Sequence, residues 1–153
     1  MSSRSQSQAR ELEAFIRRCQ DGLAHQLGGN SAPFLELWSH ADDVAILGAI
    51  GSYARGWDDV KTHILGAAKT LNWTSLAVEP VVTSVADGLG LSVELERMTR
   101  EIDGKQDART LRVTQAYRRD GGEWRLILRH ANTVSAEDES QERSLLAFDR
   151  TPR

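Results

Sequence analysis

The sequence predicts an α+β domain, with helices packed on one face of a curved antiparallel sheet. Three observations carry that prediction. In the first half, apolar residues recur at three- and four-residue steps, the spacing of amphipathic helices. In the second half, Asp-Gly occurs at 87–88, 103–104 and 120–121, a strong short-range hairpin signal each time. The segments between these pairs, Leu89 to Ile102, Asp107 to Arg119 and Trp124 to Val134, are long, alternating and free of proline.

The elements follow in order. After a frayed start of about six residues, Leu12, Phe15, Ile16, Cys19, Leu23 and Leu27 mark one face of a first helix, which Gly28-Gly29 stops. Pro33 suits the first turn of a short second helix carrying Phe34, Leu35 and Trp38. The compact apolar run Val44 to Ile50 predicts a buried strand, and the glycine-bounded loop Gly51 to Gly56 leads to a third helix over 57–71. Asp58 and Asp59 fall in its first turn, where the helix dipole favours negative charge. An extended stretch over 73–85 precedes the first hairpin, with Pro80 pointing to an edge or a bulge. One domain is expected over 8–134, followed by an acidic tail over 135–153 whose apolar cluster, Leu145 to Phe148, could dock on the body or on a partner.

Composition narrows the function. A length of 153 residues suffices for a substantial core, and a net charge of −3 gives no reason to expect nucleic acid or an anionic membrane as partner. The single cysteine, Cys19, allows neither an internal disulfide nor a zinc motif and falls on a helix's apolar face. Nothing approaches the roughly 20 apolar residues of a membrane span, and the polar start lacks a signal peptide's apolar region, so a cytoplasmic setting is expected. The four histidines are too scattered for metal ligation, and phosphate-binding or nucleophile-elbow motifs are missing. No metal or cofactor is therefore expected.

Several strings resemble the SnoaL-like branch of the superfamily that includes nuclear transport factor 2 and ketosteroid isomerase. They are Trp38 with Asp42-Asp43 ahead of VAILGA, GSYARGW at 51–57, Glu96-Arg97, LRVT at 111–114 and DGGEWRLILRH at 120–130. The resemblance covers about residues 8 to 134. It implies a cone-shaped α+β barrel, three helices closing over the sheet, with a pocket open at one end. Such domains host isomerases, cyclases, dehydratases and hydrolases as well as proteins that only bind. The chain departs from ketosteroid isomerase at two places: Gly48 stands where the proton-shuttling aspartate belongs, and Thr114 where the second carboxylic acid belongs. A true steroid isomerase is not expected.

Candidate site residues come from alternation and from the resemblance together. Simple alternation from Trp124 puts Leu126, Leu128, His130 and Asn132 on one face, the side that faces the cavity in SnoaL-like relatives. His130 would be a general base or, alternatively, a histidine hydrogen-bonded to a neighbouring strand. By the family pattern Arg112 and Thr114 also point inward. Arg112 is then a cationic clamp for a substrate carbonyl or carboxylate, or the partner of Glu96 in an internal ion pair. Asp43 could supply a carboxylate at the pocket mouth or simply turn the chain, and Tyr53 could donate to a substrate oxygen. Trp38, Trp57 and Trp73 could wall a flat apolar ligand, with Trp124 in the core and His63 at a rim.

Relatives commonly pair through the sheet's open face, so a homodimer is expected, with Leu111, Val113, Gln115 and Tyr117 as the candidate interface. Two functions lead, ahead of a purely protein-binding domain of the nuclear transport factor kind, which nothing basic or repetitive in the sequence recommends. One is a cofactor-independent acid–base enzyme acting on a small hydrophobic carbonyl, epoxide or polyketide-like compound. The other is a non-catalytic ligand-binding or dimerisation module.

Overall fold

The computed structural model describes residues 2–135, 137, 138, 140 and 141, so the apolar cluster at 145–148 lies outside the described residues. Helix α1 (Ser3–Leu27) begins where the Ser2 side chain accepts from the Ser5 amide and ends with the Gly28 amide turned back on Ala24 and His25 carbonyls. It buries Leu12, Phe15, Ile16, Cys19, Leu23 and Leu27, the stripe its periodicity predicts. Helix α2 (Ala32–Leu35) is one turn with proline near its start. Strands β1 (Ala45–Leu47) and β2 (Tyr53–Arg55) follow, so the glycine-bounded loop holds a second short strand that the sequence reading lacked. Helix α3 (Trp57–Ala68) then leads to four long strands: β3 (Ser75–Ala86), β4 (Leu89–Ile102), β5 (Lys105–Asp120) and β6 (Glu123–Val134).

The expected four-stranded meander forms, and β1 and β2 extend it to a six-stranded sheet ordered β2-β1-β6-β5-β4-β3. Two expectations need correction. The sheet is mixed rather than antiparallel, because β1 runs parallel to β6, Ala45 opposite Leu128 and Leu47 opposite His130. It is also not closed into a barrel: β2 and β3 are both edges. The chain leaves α2 in the same direction as β6, and the tight return through Gly48–Ser52 then makes β2 antiparallel to β1. Asp87-Gly88 and Asp103-Gly104 both have positive φ at both turn positions, the mirror-image turn that matches strand twist. At the third hairpin the pair is Gly121-Gly122, and Asp120 is the last residue of β5.

Among the described residues, one face of the sheet is covered by the helices and the other, the open face, has no cover. The covered face carries Met98, Leu111, Val113, Tyr117, Trp124, Leu126 and Ala131 against the stripe of α1. Packing is close at Gly90 of β4, where a Cβ would lie 2.5 Å from the end of the Leu12 side chain, so any larger residue there makes Leu12 shift.

Strand β6 breaks its own alternation. Tyr117 pairs with Leu126 but Ala116 pairs with Leu128, so Ile127 is an extra, unpaired residue. Trp124 and Leu126 are buried before this bulge, and Arg129 and Ala131 are buried after it. The faces are therefore exchanged from Leu128 onward. Strand β5 has no compensating bulge, and Leu111, Val113, Gln115 and Tyr117 all turn inward. The expected interface surface is thus the core, and the expected inward set, Arg112, Thr114 and Ala116, faces the open side. The more apolar set of β5 lies under the helix, as burial of apolar area favours.

Candidate functional site

The covered face holds an unusual amount of buried polarity. Ser92, Glu94 and Glu96 alternate along β4, Gln115 and Tyr117 stand on β5, and the bulge delivers Arg129 of β6 to the same side. The Arg129 guanidinium donates to both oxygens of Glu96, at 2.6 and 2.9 Å, and to the Gln115 carbonyl oxygen at 3.0 Å. The Gln115 amide donates to the Tyr117 hydroxyl at 2.8 Å, and that hydroxyl shares a 2.7 Å bond with Ser92. Desolvation opposes the charge on both members of the pair, but their attraction and fork geometry outweigh it. Glu96 is held below the usual carboxylate range and Arg129 above the usual guanidinium range. Beside them, burial and then the hydrogen bond and charge of Glu96 push Glu94 up to about 8. Glu94 therefore carries the proton at neutral pH and can donate it to Glu96.

Arg129 also lines a cavity of about 530 Å3 between α1, α3, the Gly48–Ser52 return and the β4–β5 end of the sheet. Leu23, Leu27, Phe34, Ile46, Ile64 and Ala131 give it apolar walls. Its polar groups include His63 of α3, Gln26 of α1, and Arg100 and Arg109 on β4 and β5. Gln26 donates to the Ile64 carbonyl at 2.9 Å and so ties the two helices across the cavity. Trp73 forms another wall and has both Arg100 and Arg109 guanidiniums against its ring, at 4.2 and 5.3 Å from the centroid. His63 lies beside Gly48: a Cβ at Gly48 would be 3.3 Å from His63 Nε2 and 2.9 Å from Ser52 Oγ. The volume falls within the usual range for small-molecule sites.

A fold of helices over a sheet, with a pocket of this kind between them, matches a known family. The SnoaL-like domain family matches residues 20–134. The chain belongs to the SnoaL-like family. No curated protein matches it. Among solved structures it is similar to a ketosteroid isomerase-like protein from Erwinia carotovora atroseptica, at 14% identity over 83% of this chain and 96% of that one, with a TM-score of 0.69. It is similar also to a proposed dehydratase of the NTF2-like family from Streptomyces avermitilis (15% identity, 86% and 99% coverage, TM-score 0.67). A third is a proposed calcium/calmodulin-dependent protein kinase type II association domain from Thiobacillus denitrificans (18% identity, 80% and 94% coverage, TM-score 0.69). At these identities the likeness concerns the fold.

Within this SnoaL-like domain the expected site residues separate into two groups. Glu96 and Trp73 are on the covered face, with Trp73 at the cavity and Glu96 behind Arg129. His130, Asn132, Arg112 and Thr114 gather on the open face, where Thr114 pairs with His130 and Arg112 with Asn132. His130, Asn132 and the 78%-exposed Tyr53 line a shallow dip there. The correction follows from the bulge: alternation counted through Ile127 assigns His130 and Asn132 to the wrong side. Glu96 pairs with Arg129, not with Arg112, because Glu96 lies opposite Leu111.

The remaining candidates lie apart from the cavity. Asp43 turns the chain on the surface, where the Arg118 guanidinium, 2.7 and 3.1 Å away, holds it below the usual carboxylate range. Trp38 is buried edge-to-face on Phe34, and Trp57 stacks on His40 at 4.1 Å. Sequence reasoning missed Arg100, Arg109 and Arg129 as cavity residues and set His63 at the rim. The available signal was an arginine opposite the apolar set of β6, which makes sense only if that strand is bulged. Among the described residues no cluster could hold a metal ion, and no helix is long and apolar enough to cross a membrane.

Proposed function

We propose that this chain is a small-molecule pocket protein whose ligand occupies the 530 Å3 cavity, an apolar compound bearing one oxygen-rich head group. The observation that carries the reading is the composition of that cavity: aliphatic and aromatic walls with a few converging polar groups. His63 is the acid–base group in this reading, since its imidazole stands against Gly48, where ketosteroid isomerases carry their base by the resemblance above. Arg129, fixed by Glu96, provides a preorganised cation at the floor. The open face serves self-association: Leu91, Val93, Leu95, Ala116 and Leu128 lie on it with no described residue over them, and Val82 and Leu89 beside them are about half exposed.

Native mass spectrometry of freshly purified protein beside Ala67→Trp, which fills the cavity, tests the reading. A small-molecule adduct present in the first and missing from the folded variant supports it. An adduct that persists in the variant contradicts it. Incubation of the adduct compound with excess protein then distinguishes an enzyme, which releases a product that His63→Gln does not, from a binding module, which returns the compound unchanged.

A further inference from the structure

Charge in the cavity does not balance. Three guanidiniums line it, from Arg100, Arg109 and Arg129, and among the described residues no carboxylate does. Two of the three are compensated from behind the wall. Arg129 is clamped by Glu96. Arg100 donates to Asp107 at 2.8 Å and to the Asn72 side-chain oxygen. Arg109 has no such partner among the described residues: its guanidinium lies against the Trp73 ring, which is 5% exposed. A half-buried guanidinium held on an aromatic face keeps its in-plane donors free for an acceptor. Water hydrates such a cation in the cavity, and a carboxylate of matching shape replaces that water with a charge-assisted pair.

We propose that the cavity takes an apolar carboxylate, its head group on Arg109 beside Trp73 and its hydrocarbon body among Leu23, Leu27, Phe34 and Ala131. This rests on the reading that the cavity binds a small molecule and adds the charge of that molecule. Geometry favours a carboxylate over a neutral carbonyl, because the planar fork offers two parallel donors and the charge meets one unbalanced cation. It also sets the polar end of the ligand at the β4–β5 side and leaves its carbon chain to run toward His63 and the α1 wall.

Calorimetric titration with octanoate and with octanamide, a neutral isostere of nearly the same shape, tests the charge separately from the pocket. The wild-type chain is expected to prefer octanoate by about tenfold or more, the scale of one charge-assisted pair. Arg109→Gln is expected to erase that preference and keep octanamide binding, whereas Arg109→Lys retains part of it. Arg109 is half-exposed, so both variants are expected to fold, which their unfolding midpoints verify. Equal binding of both compounds overturns the charge inference and leaves the pocket reading intact, as does a preference unchanged in Arg109→Gln. Absence of binding by either compound to the folded wild-type chain overturns the charge inference, and the adduct experiment above then decides the pocket separately.

Discussion

The two faces of the sheet use polar residues in opposite ways. On the covered face, Glu96, Arg129, Gln115, Tyr117 and Ser92 are all nearly inaccessible and satisfy one another through short, specific bonds. On the open face, Arg112, His130 and Asn132 reach solvent. Both sets look alike in sequence, since each is a polar residue set into an alternating strand. Within β6 the difference is produced by one residue, Ile127, which shifts the phase of the strand so that Trp124 and Leu126 before it and Arg129 and Ala131 after it are all buried. Buried polarity is therefore decided by strand phase, and phase is not a local property.

The largest effect on this contrast comes from moving the phase. Deletion of Arg112, an exposed residue in unbulged β5, forces half of that strand to turn Leu111 outward, and no cooperative unfolding transition is expected. Deletion of Ile127 removes the extra residue and keeps both flanking registers, at a cost of about 1–2 kcal/mol from lost packing of a half-buried side chain. Urea denaturation of the two variants compares them directly.

Breaking the covered-face pair comes next. Glu96→Ala strands the Arg129 cation and is expected to lower stability by about 3–5 kcal/mol, while Glu96→Leu with Arg129→Met recovers most of it. The same urea titrations measure this, and a loss near zero for the single variant contradicts a buried pair.

A smaller effect is pH-dependent. Glu94 has a folded pKa raised to about 8 from 4.5, so between those values the folded chain binds a proton that the unfolded chain does not. Its contribution is fully present below 4.5 and is lost as pH rises through 8, with a slope of at most about 1.4 kcal/mol per pH unit. Asp43 and Asp120 are shifted down and act in the opposite sense below pH 4, so denaturation midpoints between pH 5 and 8 isolate Glu94. The decline is expected to flatten in Glu94→Gln.

The smallest effect belongs to the open face. His130→Ala and Asn132→Ala are expected to change the stability of the protomer by less than about 0.5 kcal/mol and to leave cavity binding unaltered, by calorimetry with the same octanoate probe.

These contrasts explain what was legible in advance. The hairpins were, because Asp-Gly and Gly-Gly specify backbone with positive φ and need no tertiary information. The stripe of α1 was, because a helix's period survives along its whole length. Parallel pairing of β1 with β6 was not, since it joins segments about eighty residues apart with no turn to announce it. Nor was the bulge: Ile127 is neither glycine nor proline, and its extra position appears only when Leu126 and Leu128 are paired with consecutive residues of β5. The candidate site inherited that loss. Trp73 and Glu96 stand outside the bulged strand and keep their expected inward side, His130 and Asn132 lie beyond the bulge, and Arg112 and Thr114, set inward by the family pattern, share the open side with them.

Whether ligand chemistry belongs to the covered face, as proposed, is decided by NMR of the histidine imidazoles and tryptophan indoles during octanoate titration. Saturable shifts are expected at the Trp73 indole and the His63 ring, with His130 unmoved. Shifts at His130 with Trp73 and His63 unmoved would contradict it and transfer the site to the open face.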